Sequence, residues 1–221
     1  MPLPYLPVMY DGDLSLRLVR GRDARTINQL LGANRSWLSQ WEATYPSQQA
    51  SVQPSDADVR HSIRSLLAHA KAGATLPLVI QQWGQVVGQL NVSSIVRGSV
   101  SSAVIGYWVS EAAAGQGLTT RSVALATDYC FSQLGLHRME ICVRPENLAS
   151  QRVVEKLGFR FEGLRRRFIH INGAWADHFC YALVREEVPD GVFQRYRAGL
   201  VPAEVSRVPD SVREQAQIPL V

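Results

Sequence analysis

Between Val109 and Phe131 the chain reads VSEAAAGQGLTTRSVALATDYCF. Sequence rich in valine and isoleucine precedes it, and the turn Gly115-Gln116-Gly117 opens a long stretch of helical spacing that begins at Leu118. Glycine costs about 0.5–1 kcal/mol relative to alanine inside a regular element, so two glycines against a helix start need a reason. Either the chain only turns there, or an anion sits on the helix N-terminus. The first helical turn leaves backbone N–H groups without partners, and the helix dipole adds roughly half a positive charge. A strand–Gly-x-Gly–helix element is therefore a ready phosphate cradle, with Thr119 and Thr120 as additional hydroxyl donors. It is not a Walker loop, because no Gly-Lys-Ser/Thr follows. It is not a dinucleotide fingerprint either, because Thr120 stands where the third glycine belongs.

The elements around this turn define an α/β chain. LSLRLV (Leu14 to Val19) alternates as a strand. Ala24 to Trp41 reads as one or two helices, and Ala57 to Gly73 as a helix closed by glycine. Between these helical stretches lies a polar loop, EATYPSQQASVQPSD. Three strands follow, LPLVIQQ, QVVGQLNVSSIV and SAVIGYWVS. The helix after the glycine turn runs from about Leu118 to Leu134, with Gly135 as its stop. A strand (HRMEICV), a short helix (NLASQRVVEKLG) and a hairpin turned by Asn172-Gly173 complete the series. The expected organisation is an N-terminal extension over 1–13, one domain over 14–187, and a proline-containing extension over 188–221. That last stretch lacks clear periodicity and is expected to pack on the domain or mediate contacts, possible homodimerisation included.

Composition narrows the function classes. Of the 221 residues, 46% are hydrophobic and 19% charged, which suits a globular core rather than a disordered chain. The net charge of +4 fits an anionic ligand and is too weak to indicate nucleic acid. Cys130, Cys142 and Cys180 form no C-x-x-C pair, so neither a zinc site nor a redox motif is expected. A sparse, odd count reads as buried free thiols in a reducing cytoplasm. The N-terminus MPLPYLPVMYDGD lacks a basic n-region and is not expected to be a signal peptide. No apolar run approaches the ~20 residues of a membrane helix.

A second motif lies further on, NLASQRVVEKLGF from Asn147 to Phe159. Read alone, it is an Asn-capped helix with a glycine stop. Two parallel β–α units would set both helix starts at one end of the sheet, where a ligand with phosphates and an amide-rich arm can bridge them. Together the two stretches resemble the GNAT acetyltransferase superfamily, in its RimJ/RimL-like branch. The first motif of that family, Gln/Arg-x-x-Gly-x-Gly/Ala, reads here Ala112-Ala113-Ala114-Gly115-Gln116-Gly117, which departs from it in the first position, where alanine replaces Gln or Arg. The second, N-x-x-S-x-x-V-x-x-x-L-G-F, is matched by Asn147, Ser150, Val153, Leu157, Gly158 and Phe159. IGYWVS (Ile105 to Ser110) is similar to the strand whose splayed edge holds pantetheine.

The resemblance implies acetyl-CoA as donor, direct attack of an amine on the thioester, and no metal. It places the cofactor on Val109, Gly115, Gln116, Gly117, Leu118, Thr119, Thr120, Asn147 and Ser150, and the acceptor beside Trp37, Trp41 and Tyr107. Many members use a tyrosine seven residues after the motif asparagine as proton donor. Val154 stands there, which leaves Ser150 as the candidate acid. For the base, a two-residue Asn172-Gly173 turn would set Phe168 opposite Asp177 and His170 opposite Trp175, bringing His170 and Asp177 to one face. A sparse set of bases suits an α-amine, about 10–15% neutral at pH 7, better than a lysine, ~0.04% neutral. The expected acceptor is a protein N-terminus of ribosomal-protein type. A small-molecule amine, such as an antibiotic or polyamine, and a non-catalytic CoA-binding module are the alternatives. No specific nucleic acid or membrane partner is expected.

Overall fold

The computed structural model describes residues 8–46, 54–202 and 204–216. The start of the N-terminal extension, the middle of the polar loop and the last five residues lie outside these. The secondary structure comprises β1 (Met9–Asp11), β2 (Leu14–Leu18), α1 (Ala24–Ala33), α2 (Arg35–Leu38), α3 (Asp56–Lys71), β3 (Leu76–Gln82), β4 (Gln85–Val96) and β5 (Ser102–Val109). These are followed by α4 (Leu118–Ser132), β6 (Arg138–Val143), α5 (Leu148–Leu157), β7 (Arg160–Ile171), β8 (Ala174–Val184), α6 (Val192–Arg197) and α7 (Asp210–Gln215). The strands form one sheet in the order β1-β2-β3-β4-β5-β6-β8-β7. Every neighbouring pair is antiparallel except β5 and β6.

Both faces of the sheet are covered around β3, which explains why that strand is a near-continuous apolar run. Leu78 and Ile80 belong to the main core with α4 and α5, while Val79 between them packs with Val19, Ile27, Val59 and Ile63. Successive strand residues point to opposite faces, so α1 and α3 cover one side and α4 and α5 the other. Helix α4 is buried on most sides. Its polar Ser122 and Thr127 are wholly enclosed, and Thr127 Oγ1 donates to the Val123 carbonyl at 2.8 Å.

The one parallel contact creates the cleft. β5 and β6 pair only over Ser102–Val104 against Arg138–Glu140. Beyond that, Ile105 to Val109 pair with β4 alone and Ile141 to Val143 with β8 alone. Because the strands are parallel, α4 and α5 both start at the splayed end.

The hairpin departs from its expected register. Asn172 (φ 47°) and Gly173 (φ 88°) make the two-residue turn, and His170 pairs with Trp175 as the turn dictates. Phe168 does not pair with Asp177. The register shifts between Arg165 and Ile169, where Arg167 takes a left-handed φ of 46° and donates its backbone N–H to Asp177 Oδ1 at 2.7 Å. A bulge with its own internal acceptor absorbs the additional residues.

The tail is more regular than its sequence suggests. Val192 and Val208 join the main core. The Asp128 carboxylate of α4 accepts the Val192 and Phe193 N–H groups at 2.7 and 3.0 Å, capping α6. Buried Ser206 donates its hydroxyl to the Phe159 carbonyl at 2.6 Å. No helix among the described residues is long and apolar enough to cross a membrane.

Candidate active site

The two helix starts at the splay are built differently. Gly115 and Gly117 have φ of 76° and 75°, a left-handed conformation that disfavours any residue with a Cβ. Gly117 caps α4 with no side-chain hydrogen bond, and the first bond into the helix is Arg121 N–H to the Gly117 carbonyl at 3.0 Å. The N–H groups of Leu118, Thr119 and Thr120 thus precede the helix's own ladder. Thr120 is buried, Thr119 half-buried, and Gly115 and Gln116 lie open to solvent. A Cβ built on Gly115 or Gly117 meets nothing within 4 Å. The Gln116 amide donates to the Ala112 carbonyl at 3.0 Å, bracing the loop where alanine replaced the larger motif residue. Arg121 is tied to Asp11 and Asp13 of the β1–β2 turn, which raises its pKa against the opposing effect of burial.

The start of α5 is closed by its own sequence. Asn147 Oδ1 accepts the Ser150 N–H at 3.0 Å, the usual Asn cap. This leaves the Ser150 hydroxyl as the reactive end, 2.7 Å from the Tyr107 hydroxyl of β5. The pair spans the splay. Loss of solvent pushes the Tyr107 phenol up to about 12 against the lowering effect of the Ser150 bond, so it holds its proton at neutral pH.

Ser150, Tyr107 and Asn147 line a cavity of about 400 Å³. Its remaining wall is mostly apolar and includes Leu31, Leu38, Trp41, Ile105, Trp108 and Ile169. Trp41 does not sit on a helix with Trp37, although the expected helical stretch runs to Trp41. Helix α2 ends at Leu38, and the loop beyond it bridges to β7 through Ala43 and Ile171, with Thr44 N–H on the His170 carbonyl at 2.8 Å. That bridge brings Trp41 to the cavity. Arg144 lies 5.6 Å over its ring and donates to the Gln40 carbonyl at 2.8 Å. Trp37 does not line the cavity, and Tyr45 is exposed. Of the carboxylates, Glu42 lines the cavity but is bound by Arg35. Asn91 Oδ1, on the β4 side, is enclosed without a hydrogen-bond partner.

His170 and Asp177 are not among the cavity residues. The His170 Nδ1 lies 2.7 Å from Thr44 Oγ1, and buried Asp177 holds the bulge through the Arg167 N–H. The hairpin presents its neighbour His178 to the cavity instead. His178 Nδ1 lies 3.0 Å from the Ala176 carbonyl. A carbonyl only accepts, so Nδ1 carries the hydrogen and Nε2 keeps its lone pair. Burial lowers the His178 pKa despite that bond. Sequence alone pointed to the opposite face, one residue away, because alternation does not say which face of a hairpin is inward. The sheet also joins two thiols far apart in the chain, Cys142 on the cavity wall and Cys180, with sulfurs 3.1 Å apart.

The strand pair splays around this cavity, and the uncapped, glycine-led start of α4 lies at the same end of the sheet. The GNAT acetyltransferase domain model matches residues 13–160, and the chain belongs to that family. Mycobacterium smegmatis RimJ, solved in complex with CoA-disulfide, superposes with a TM-score of 0.81 at 37% identity, covering 84% of this chain and 88% of that one. The Escherichia coli [ribosomal protein uS5]-alanine N-acetyltransferase is 27% identical over 178 residues, 80% of this chain and 91% of its own length. The probable N-acetyltransferase YjcK of Bacillus subtilis is 42% identical over a shorter stretch of 103 residues, 47% of this chain and 57% of that protein. The fold is thus the GNAT fold, and the chain is an N-acetyltransferase of RimJ/RimL-like type.

Proposed function

We propose that this enzyme transfers the acetyl group of acetyl-CoA to the N-terminal α-amine of a protein, of the ribosomal-protein type, by direct attack on the thioester. The acetyl donor is acetyl-CoA. Its pyrophosphate is assigned to the N–H groups from Gly115 to Thr120, and its amide arm to the free β5 edge between Ile105 and Val109. Asn147 supports this end by fixing Ser150. The Ser150 hydroxyl, with the protonated Tyr107 behind it, returns a proton to the departing thiolate. His178 Nε2 takes the proton that the amine loses.

The observation that carries this reading is the cavity composition: a His178 imidazole and a Ser–Tyr hydroxyl pair line one cavity, with Glu42 already bound to Arg35. A weak base is matched to an amine of pKa about 7.7–8.0 and poorly to a lysine near 10.4. The apolar wall around Trp41 suits the first side chain of a peptide. The unpartnered Asn91 Oδ1 suits one of its N–H groups. RimJ-type relatives named for ribosomal-protein alanine acetylation agree with this acceptor class.

The test is incubation with acetyl-CoA and peptides starting with free Ala, Ser or Met, beside polyamines and aminoglycosides, reading thiol release and acceptor mass together. The expected product carries one acetyl group on a peptide α-nitrogen. Acetylation confined to the small amines would overturn the proposed acceptor.

A further inference from the structure

Cys142 and Cys180 stand directly opposite each other on β6 and β8. Opposed residues of an antiparallel pair have Cα atoms about 4.5–5.5 Å apart, within the span of roughly 4.4–6.8 Å that a disulfide bridges. Both are free thiols, with sulfurs 3.1 Å apart. The two differ in access. Cys142 is half-buried on the cavity wall, whereas Cys180 lies buried behind it. The Arg165 guanidinium, anchored to Glu140 at 3.2 Å, reaches within 3.9 Å of Cys142 Sγ.

We propose that Cys142 and Cys180 form a thiol–disulfide exchange site, with Cys142 the attacking and Cys180 the resolving thiol, for low-molecular-weight disulfides that enter the cavity. Cys142 thiolate attacks one sulfur of the small disulfide. That S–S bond breaks, a mixed disulfide forms on Cys142, and the first small thiol leaves with the proton that Cys142 gave up. Cys180 then loses its proton and attacks Cys142 Sγ. The mixed disulfide breaks, the second small thiol leaves protonated, and a Cys142–Cys180 bond remains. Two electrons have passed from the protein thiols to the small disulfide.

The division of roles follows from the surroundings. The hydrogen bond from Cys180, with Arg165 nearby, favours the Cys142 thiolate, while the same bond and burial keep Cys180 protonated. Thiolate character and access together select the attacking sulfur. Cys130 is an internal contrast. It is fully enclosed in α4, and burial pushes its thiol up to about 12.

The full chain is incubated with oxidised glutathione, alkylated under denaturing conditions, and read by intact mass and peptide mapping. Alkylatable thiols should fall from three to one, the remaining one being Cys130, with a peptide linking Cys142 to Cys180 that dithiothreitol releases. In Cys180→Ser, glutathione should stay on Cys142. In Cys142→Ser, Cys180 should stay free. Wild-type protein that keeps both thiols alkylatable, or that links only between chains, overturns the proposal. Glutathione captured on Cys180 in Cys142→Ser overturns the assignment of roles. The readout is mass and requires no acetyl transfer, so the result stands apart from the proposed function.

Discussion

At the scale of single residues, the proposed mechanism divides proton donation from proton removal. Ser150→Ala removes the hydroxyl but leaves the Asn147 bond to the backbone N–H. General acid catalysis contributes about 10²–10⁴-fold. The expected result is a kcat lower by about a hundredfold, with the acetyl-CoA Kd nearly unchanged by calorimetry. Tyr107→Phe should lower kcat in the same direction by less, because Ser150 keeps its own hydrogen. Equal rates in wild type and Ser150→Ala would exclude the serine as donor. His178 adds a pH dependence. Its folded pKa lies below the ordinary 6.5, so it remains a base at neutral pH and becomes inactive as pH falls through the lowered value. The acceptor amine protonates at higher pH, near 7.8. The acid limb of the kcat/KM profile should therefore contain two ionisations in wild type and one in His178→Gln, with kcat/KM reduced by about a hundredfold. Stability follows the same group. Below about pH 6.5 the unfolded chain binds the proton first, so ΔG of unfolding falls with pH until the folded value is passed. Thermal melts should show this loss in wild type and less of it in His178→Gln.

At the scale of elements, the glycine turn is the feature with the sharpest consequence. A Cβ on Gly117 meets open space, so Gly117→Ala creates no clash inside the protein. It does impose a left-handed conformation on alanine, costing about 1–2 kcal/mol, and places a methyl group in the proposed seat of the pyrophosphate. The acetyl-CoA Kd should rise at least tenfold by calorimetry while the acceptor specificity stays the same, and an unchanged Kd would remove the anion cradle. This turn, the Asn147 cap and the Asn172-Gly173 hairpin were all legible in sequence, because each depends on a local backbone conformation that few residues tolerate. The proposed base and acceptor wall were less legible, for a physical reason. His178 faces the cavity through sheet packing, and the bulge at Arg167 breaks the simple two-residue alternation that sequence counting assumes. Trp41 reaches the site through a loop-to-strand bridge, not through helical spacing. The Cys142–Cys180 contact joins positions 38 residues apart, which only the order of strands brings together.

At the scale of the molecule, the segment beyond β8 is joined to the back of α4, the helix whose other end carries the glycine turn. Asp128 is the joint, accepting two N–H groups from the first turn of α6. Burial raises its pKa although both of those bonds and Arg195 act to lower it, so the charged form is held at a cost. Asp128→Ala removes the cap and leaves both N–H groups without that acceptor. Loss of a helix cap costs about 0.5–2 kcal/mol, and in a chain of this size each 1 kcal/mol moves Tm by about 2–4 °C. Calorimetry should therefore show Asp128→Ala melting several degrees lower. Asp128→Asn retains one acceptor oxygen and avoids burying a charge, so it should recover most of that loss. The Asp128 carboxylate lies outside the cavity lining, so kcat/KM well below the melting range should match wild type in both variants. Wild-type Tm in Asp128→Ala would mean that α6 docks through Val192 and its apolar neighbours alone. A fall in kcat/KM at unchanged Tm would instead mean that the tail steers the α4 start, and with it the proposed seat of the pyrophosphate.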